Sequence, residues 1–160
     1  MTVPRVVLAE DDVLLREGLA SLLERSGYEV VGQAGDGTQL LTLAREAGPD
    51  LVVADIRMPP THTTEGLEAA RIIRQELPDI AILVLSAYAE VEHAMELLAG
   101  GHSIGYLLKS RVTDVADFID TLGRIAKRAS VRRGMQRFKM LGCADLVRRV
   151  STEVACSGPY

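Results

Sequence analysis

The 160-residue sequence predicts an α/β domain built on a parallel sheet, and two observations indicate this fold class. Short apolar runs rich in β-branched residues alternate with segments whose leucines recur at helical spacing. Nearly half of the residues, 48%, are hydrophobic, which is enough to bury the core of one domain. Five strand–helix units in succession predict a five-stranded parallel sheet with helices on both faces.

The predicted elements follow one another in regular order. The strands are expected at Val6–Ala9, Glu29–Ala34, Leu51–Asp55, Ile80–Leu85 and Ile104–Leu108. Apolar residues at helical spacing predict the helices. They are expected through Leu14–Leu23, ending at Gly27, through Leu40–Leu43, between the turn at Gly37 and the stop at Gly48, and through Leu67–Leu77, Val91–Leu98 and Val115–Ile125. Glycines that follow three of these helices mark their ends: Gly27, Gly48 and Gly100.

Acidic residues stand where two of the predicted strands end. The first strand is followed by Glu10, Asp11 and Asp12, and the third ends at Asp55. Adjacent parallel strands bring their carboxyl ends to the same edge of a sheet, where open α/β folds place their sites. Crowded carboxylates repel one another, and their oxygens suit a hard cation such as Mg²⁺. Because Lys109 follows the fifth strand, the pattern predicts a site that handles a phosphoryl group.

Four segments together resemble the receiver domain of bacterial two-component response regulators, over roughly residues 4–127. They are, in order, Leu8–Asp11, Asp50–Pro59, Val84–Ala87 and Gly105–Lys109. Leu15–Leu19 and Tyr106–Lys109 resemble the LuxR-type, NarL-like branch, whose receivers usually precede a helix-turn-helix domain. The resemblance implies a flavodoxin-like sheet of strand order 2-1-3-4-5, which places the first and third strands side by side.

The resemblance also implies roles for residues at the strand ends. Asp55 would accept a phosphoryl group from a sensor histidine kinase, and Lys109 would pair with the phosphoryl oxygens. Ser86 would hydrogen-bond the phosphoryl group while Tyr106 turns inward, so that the two act as a switch pair. Such a domain is a signalling module rather than an enzyme, limited to its own phosphoryl transfer and autodephosphorylation.

A Mg²⁺ site is implied as well, with the ligands Glu10, Asp11, Asp55 and the backbone carbonyl of Arg57. In the family, an arginine of the first helix falls five residues after the second acid of the metal pair. Counting back from Arg16 gives Asp11, which leaves Asp12 to cap the helix N-terminus. A register shifted by one, with Asp11 and Asp12 as the pair, stays open at this point.

Two features depart from the family pattern. Ser110 follows Lys109 where proline is common, and a cis bond without proline costs about 2.5–4 kcal/mol, so a trans bond is expected although a strained cis bond stays open. The loop after Asp55 is about three residues longer than usual and adds the polar stretch Thr61–Thr64. His62 in this loop is interpreted as an exposed histidine rather than a ligand, because Mg²⁺ prefers oxygen.

Charge divides the chain into an acidic body and a basic tail. Residues 1–123 hold 20 acidic and 9 basic residues, whereas residues 124–160 hold 2 and 9. We predict a receiver domain at residues 1–127 and a basic tail at residues 128–160 that is partly helical or disordered. A helix-turn-helix module needs on the order of 60 residues, so the tail is too short for one and specific DNA binding is not expected.

These features predict a response regulator of a two-component phosphorelay, with a sensor histidine kinase as partner and self-association as an open alternative. The alternative function is a LuxR-type DNA-binding transcription regulator without most of its helix-turn-helix half. A haloacid-type hydrolase also uses a strand-end aspartate and Mg²⁺, but it would need a second aspartate where Arg57 stands. With neither a membrane-spanning apolar run nor a signal peptide in the sequence, a cytoplasmic protein is expected.

Overall fold

The computed structural model describes residues 3–87, 104–112 and 114–140. Five strands are present in these ranges: β1 (Arg5–Ala9), β2 (Glu29–Ala34), β3 (Leu51–Asp55), β4 (Ala81–Ser86) and β5 (Ile104–Leu108). The α-helices are α1 (Val13–Arg25), α2 (Gly37–Ala47), α3 (Glu65–Glu76) and α4 (Val115–Met140). A short 3-10 turn, Lys109–Arg111, follows β5 directly.

All strand pairs are parallel, and the strand order is β2-β1-β3-β4-β5, which confirms the predicted fold class and topology. The register aligns the strand ends that carry polar residues. Ala9 of β1 pairs with Ala54 of β3, so Glu10 and Asp55 come next on neighbouring strands. On the other side of β3, Asp55 pairs with Leu85 of β4.

The sheet buries both of its faces because successive side chains along a strand point to opposite sides. On one face, Val7 and Ala9 of β1 pack in a core with α2 and α3. On the other face, Val6 and Leu8 pack in a second core with α1 and the first turns of α4. The strands β3 and β4 are buried along their whole length, as expected for central strands of a doubly covered sheet.

The predicted strands agree with the observed ones to within one residue at each end. Among the helices, α4 differs most from its prediction, because it continues past the predicted end at Ile125 to Met140. The helix predicted at Val91–Leu98 lies outside the described residues, as does the tail beyond residue 140. Within the described ranges, no helix has both the length and the apolar character needed to cross a membrane.

Gly66 fixes the path of the chain beside the end of β3. A Cβ atom at this position would lie 1.6 Å from the carbonyl oxygen of Asp55, so only glycine fits there. The backbone N–H of Gly66 donates to the carbonyl of Ile56 at 2.9 Å. The long loop between Asp55 and α3 is therefore closed at its base, directly beside the candidate site.

Candidate functional site

The candidate site lies at the carboxyl edge of the sheet, where β1 and β3 end. Glu10 is fully buried and Asp55 is 3% exposed, so both carboxyl groups are largely withdrawn from water. The Oε1 atom of Glu10 accepts from the backbone N–H of Asp12 at 3.1 Å. The Arg16 side chain donates to the backbone carbonyl of Glu10 at 2.9 Å and ties α1 to this strand end.

Lys109 joins the two buried carboxylates. Its Nζ lies 2.8 Å from Glu10 Oε2 and 2.9 Å from Asp55 Oδ2. The lysine reaches them because β5 ends at Leu108, on the same edge of the sheet as the other strand ends. One cation is thus shared by acids that lie 45 residues apart in sequence.

Burial and the bonds between these three groups together shift their pKa values. Burial raises the pKa of Glu10 to about 7, an effect that Lys109 opposes and the charge of Asp55 reinforces. Burial also raises the pKa of Asp55 above its ordinary value, although the bond from Lys109 opposes the change. For Lys109, burial alone would lower the pKa, but bonds to Glu10 and Asp55 outweigh it and raise the pKa.

Asp11 and Asp12 have different surroundings. Asp12 is the N-cap of α1, where its Oδ1 accepts from the backbone N–H groups of Leu14 at 2.9 Å and Leu15 at 3.2 Å. The capping role predicted for Asp12 is therefore confirmed. Asp11 instead lies with Glu10 and Asp55 in a carboxylate cluster whose ligand atoms are all within 4.8 Å of one another.

The long loop brings His62 to this cluster. The Nε2 atom of His62 lies 3.1 Å from Oδ2 of Asp11, and the His62 side chain is 55% exposed. Burial raises the pKa of Asp11, but hydrogen bonds from Glu10 and His62 outweigh it and leave the pKa below its ordinary value. The histidine is exposed, as expected, but it also contacts an acid of the cluster, which the sequence did not indicate.

Glu65, the first residue of α3, stabilises this loop by accepting hydrogen bonds from it. Its Oε1 accepts from the backbone N–H of Thr61 at 3.0 Å, and its Oε2 accepts from that of Thr63 at 3.0 Å. The hydroxyl of Thr61 also donates to Glu65, and together these bonds lower the pKa of Glu65 to about 2. The backbone N–H of His62 donates to the carbonyl of Met58 at 3.0 Å.

The remaining predicted site residues lie around the cluster. Ser86 is 1% exposed at the end of β4, and Tyr106 of β5 is half-buried against the core shared with α2 and α3. Arg57 is exposed, and its backbone N–H lies 3.4 Å from Oδ1 of Asp55. Among the described peptide bonds, Pro59–Pro60 is cis and the Lys109–Ser110 bond is trans.

The donor set of the cluster fits a hard divalent cation. Glu10, Asp11 and Asp55 offer carboxylate oxygens from two adjacent strand ends. Mg²⁺ takes oxygen ligands in octahedral geometry and keeps several waters, so a partly exposed acid such as Asp11 suits it. The site could therefore hold Mg²⁺ between the buried acids and solvent.

Comparison with known proteins decides the family. The model of the response regulator receiver domain matches residues 6–118. The chain belongs to the response regulator receiver family. Over 138 residues it is 32% identical to the transcriptional regulatory protein YxjL of Bacillus subtilis (strain 168), covering 86% of this chain and 61% of that protein. Over 111 residues it is 36% identical to the transcriptional regulatory protein LnrK of the same strain, covering 69% of this chain and 49% of that one.

A solved structure supports the same assignment. The receiver domain of the putative response regulator NarL from Mycobacterium tuberculosis is 34% identical, with a TM-score of 0.63. The superposition covers 77% of this chain and 98% of the NarL chain. The chain spans 61% of the length of YxjL and 49% of the length of LnrK.

Two contacts of this receiver site were missed from sequence. The position of Arg16 indicates which two acids form the metal pair, but its hydrogen bond to the Glu10 carbonyl does not follow from the sequence. The His62 contact joins residues 51 apart in sequence and depends on how the loop turns back. The sequence does contain a feature that indicates an ordered loop: the threonines before Glu65. Threonine side chains bond to nearby backbone and carboxylate groups.

Proposed function

We propose that the chain accepts a phosphoryl group on Asp55 from a sensor histidine kinase, with Mg²⁺ as cofactor, and changes conformation in response. The observation that supports this most is Lys109, whose ammonium group bridges Glu10 and Asp55 at 2.8 and 2.9 Å. A cation held beside a strand-end carboxylate is suited to neutralise phosphoryl oxygens as they approach. The receiver family and the carboxylate cluster are consistent with this function.

In this proposal, a carboxylate oxygen of Asp55 forms a bond to phosphorus as the phosphorus–nitrogen bond of the kinase's phosphohistidine breaks. The product is an acyl phosphate, and the kinase histidine leaves as neutral imidazole: its ring nitrogen keeps the electron pair of the broken bond, and the other ring nitrogen keeps the proton that it carried in the phosphohistidine. Mg²⁺, when bound by Glu10, Asp11, Asp55 and the Arg57 carbonyl, would supply charge neutralisation for the phosphoryl oxygens. Lys109 would exchange its bond to Asp55 Oδ2 for one to the phosphoryl group while keeping Glu10 as its partner.

Ser86 and Tyr106 are the proposed switch pair. Ser86 is buried at the end of β4, next to the strand that carries Asp55, so a small shift of this strand end would bring its hydroxyl to the phosphoryl group. Tyr106 lies on β5, the edge strand beside β4, and is only partly buried, so its ring has room to turn. Ser86→Ala should still accept a phosphoryl group but show smaller amide shifts at Tyr106 on addition of beryllofluoride with Mg²⁺.

Phosphorylation is tested with acetyl phosphate and Mg²⁺, followed by mass spectrometry of the intact chain. We expect a gain of one phosphoryl group in the wild type and in Asp12→Asn, because asparagine preserves the N-cap of α1. Asp55→Asn should show no gain. A phosphoryl gain that persists in Asp55→Asn would refute the assignment.

A second candidate function is favoured by the names of the relatives, which are transcriptional regulatory proteins. Under this alternative the receiver, proposed at residues 1–127, belongs to a LuxR-type regulator that binds DNA through a further domain. A reading frame that continues past residue 160 into a helix-turn-helix pattern would support it. Phosphorylation of Asp55 would then control transcription rather than a protein partner.

A further inference from the structure

The loop after β3 is organised around one outward turn, at His62. This residue has a φ of 54°, in the left-handed region that non-glycine residues rarely adopt. The backbone N–H groups on either side of it, at Thr61 and Thr63, are both bound by the carboxylate of Glu65. Its own N–H is bound by the Met58 carbonyl. Three hydrogen bonds thus fix the backbone that presents the imidazole.

The imidazole is directed at one oxygen of Asp11. An ionised carboxylate can only accept a hydrogen bond, so in the tautomer that carries a proton on Nε2, His62 donates to Asp11 Oδ2 over 3.1 Å. The bond from His62 is made to Oδ2, one of the two oxygens of this carboxylate. A carboxylate held by a hydrogen bond on one oxygen is pre-oriented for a metal ion on the other, as with the outer partners of many metal ligands.

We propose that His62 is a positioning residue for divalent-cation binding: held by the Glu65-capped loop, it orients Asp11 so that the carboxylate meets Mg²⁺ with little reorganisation. This inference rests on the metal site of the proposed function. His62 itself acts through Asp11 and contributes no ligand, because its Nε2 lies outside the cluster formed by Glu10, Asp11 and Asp55.

The test is the affinity of the full chain for Mg²⁺ alone, measured by titration calorimetry, with Mn²⁺ binding followed by electron paramagnetic resonance. His62→Leu and His62→Gln both keep a non-glycine residue at the left-handed turn and differ in the N–H donor. We expect Leu to raise the Kd roughly tenfold, the lower end for loss of an outer partner, and Gln to restore most of the affinity. The 13C shift of the Asp11 carboxyl in the cation-free chain should change in Leu and return in Gln.

A second pair of variants tests the loop. Glu65→Ala releases Thr61 and Thr63, whereas Glu68→Ala removes the other acid in the first turn of α3, one paired with Arg71. Glu65→Ala should weaken cation binding and Glu68→Ala should not. The double variant Glu65→Ala/His62→Leu should lose no more cation affinity than His62→Leu alone, because both substitutions act through the contact between His62 and Asp11. Additive losses would contradict the proposal.

The outcomes separate this inference from the function on which it rests. If Asp11→Asn abolishes Mg²⁺ binding but His62→Leu leaves it unchanged or makes it tighter, the positioning role is refuted and the phosphoacceptor proposal stands. If the wild type does not bind Mg²⁺, both are refuted. If cation binding responds to His62 as expected but acetyl phosphate adds no phosphoryl group, only the proposed function is wrong.

Discussion

At the residue scale, Glu10 has the most constrained side chain of the site. One oxygen accepts from the backbone of Asp12 and the other lies against Lys109, with no exposed surface on the residue. Its carboxyl group therefore ionises less readily than in water, which ties the stability of the protein to pH.

We predict that the cation-free protein loses stability as the pH rises from 4.5 to about 7. In this window the unfolded chain ionises Glu10 at its ordinary pKa of 4.5, whereas the folded chain keeps it protonated up to about 7. Other groups titrate too, so the measurement is the difference in free energy of unfolding between the wild type and Glu10→Gln, in chelator. The free energy of unfolding of the wild type, taken relative to that of Glu10→Gln, should decrease from pH 4.5 to 7 and stay constant above pH 7. A difference that does not vary over this window would contradict the prediction.

Gly66 provides a second prediction at this scale. Gly66→Ala should destabilise the fold by about 3 kcal/mol or more, because its Cβ would overlap the Asp55 carbonyl oxygen at 1.6 Å and the clash is with backbone. Gly18→Ala is the control, since nothing lies within 4 Å of a Cβ on this residue of α1. It should stabilise the protein by about 0.5–1 kcal/mol through helix propensity. Urea unfolding measures both, and equal effects would show that the close approach is relieved by backbone movement.

At the scale of elements, the start of α1 separates two neighbouring acids by role. Asp12→Ala should cost about 1 kcal/mol of stability, the usual value of an N-cap, and leave Mg²⁺ affinity nearly unchanged. Asp11→Ala should abolish Mg²⁺ binding and leave the cap intact. Calorimetric titration and urea unfolding of the two variants measure both quantities. The opposite assignment would show that the metal register is shifted by one residue.

Most of the secondary structure could be predicted because its signals are local. The apolar run Leu51–Asp55 is buried on both faces, and Gly48 ends α2 in the left-handed conformation, as a C-terminal glycine should. The end of α4 could not be predicted. Its apolar period fades after Ile125 into a segment rich in Arg, Lys and Met, residues that favour helix without marking a buried face.

The contacts of the candidate site likewise include some that the sequence predicts and one that it does not. Glu10, Asp55 and Lys109 were predicted to meet because strand ends converge at one edge of a parallel sheet, a consequence of topology. The contact of His62 with Asp11 required the conformation of a loop, which no periodicity encodes.

At the scale of the whole molecule, the charge asymmetry predicts how the chain meets nucleic acid. The basic residues after position 123 can attract phosphates, but the acidic body opposes them, and counterion release makes such binding fall steeply with salt. We expect weak, sequence-indifferent DNA binding that is largely lost at physiological salt. Competition between one labelled duplex and excess random duplex at that salt is the measurement. A sequence that resists competition would favour the transcription-regulator alternative for this chain.

The contact of Gly66 with the Asp55 carbonyl has an evolutionary consequence. The two ends of the loop lie next to each other, so the ten residues between them can change in number without moving the strands of the sheet. Closure entropy grows only with the logarithm of length, so three added residues cost about 0.3 kcal/mol. Insertions at this point therefore change the free energy of unfolding very little. Each insertion does change which loop side chain lies next to the carboxylates. The surroundings of the candidate site can therefore change in evolution, one short insertion at a time, while its carboxylates stay in place.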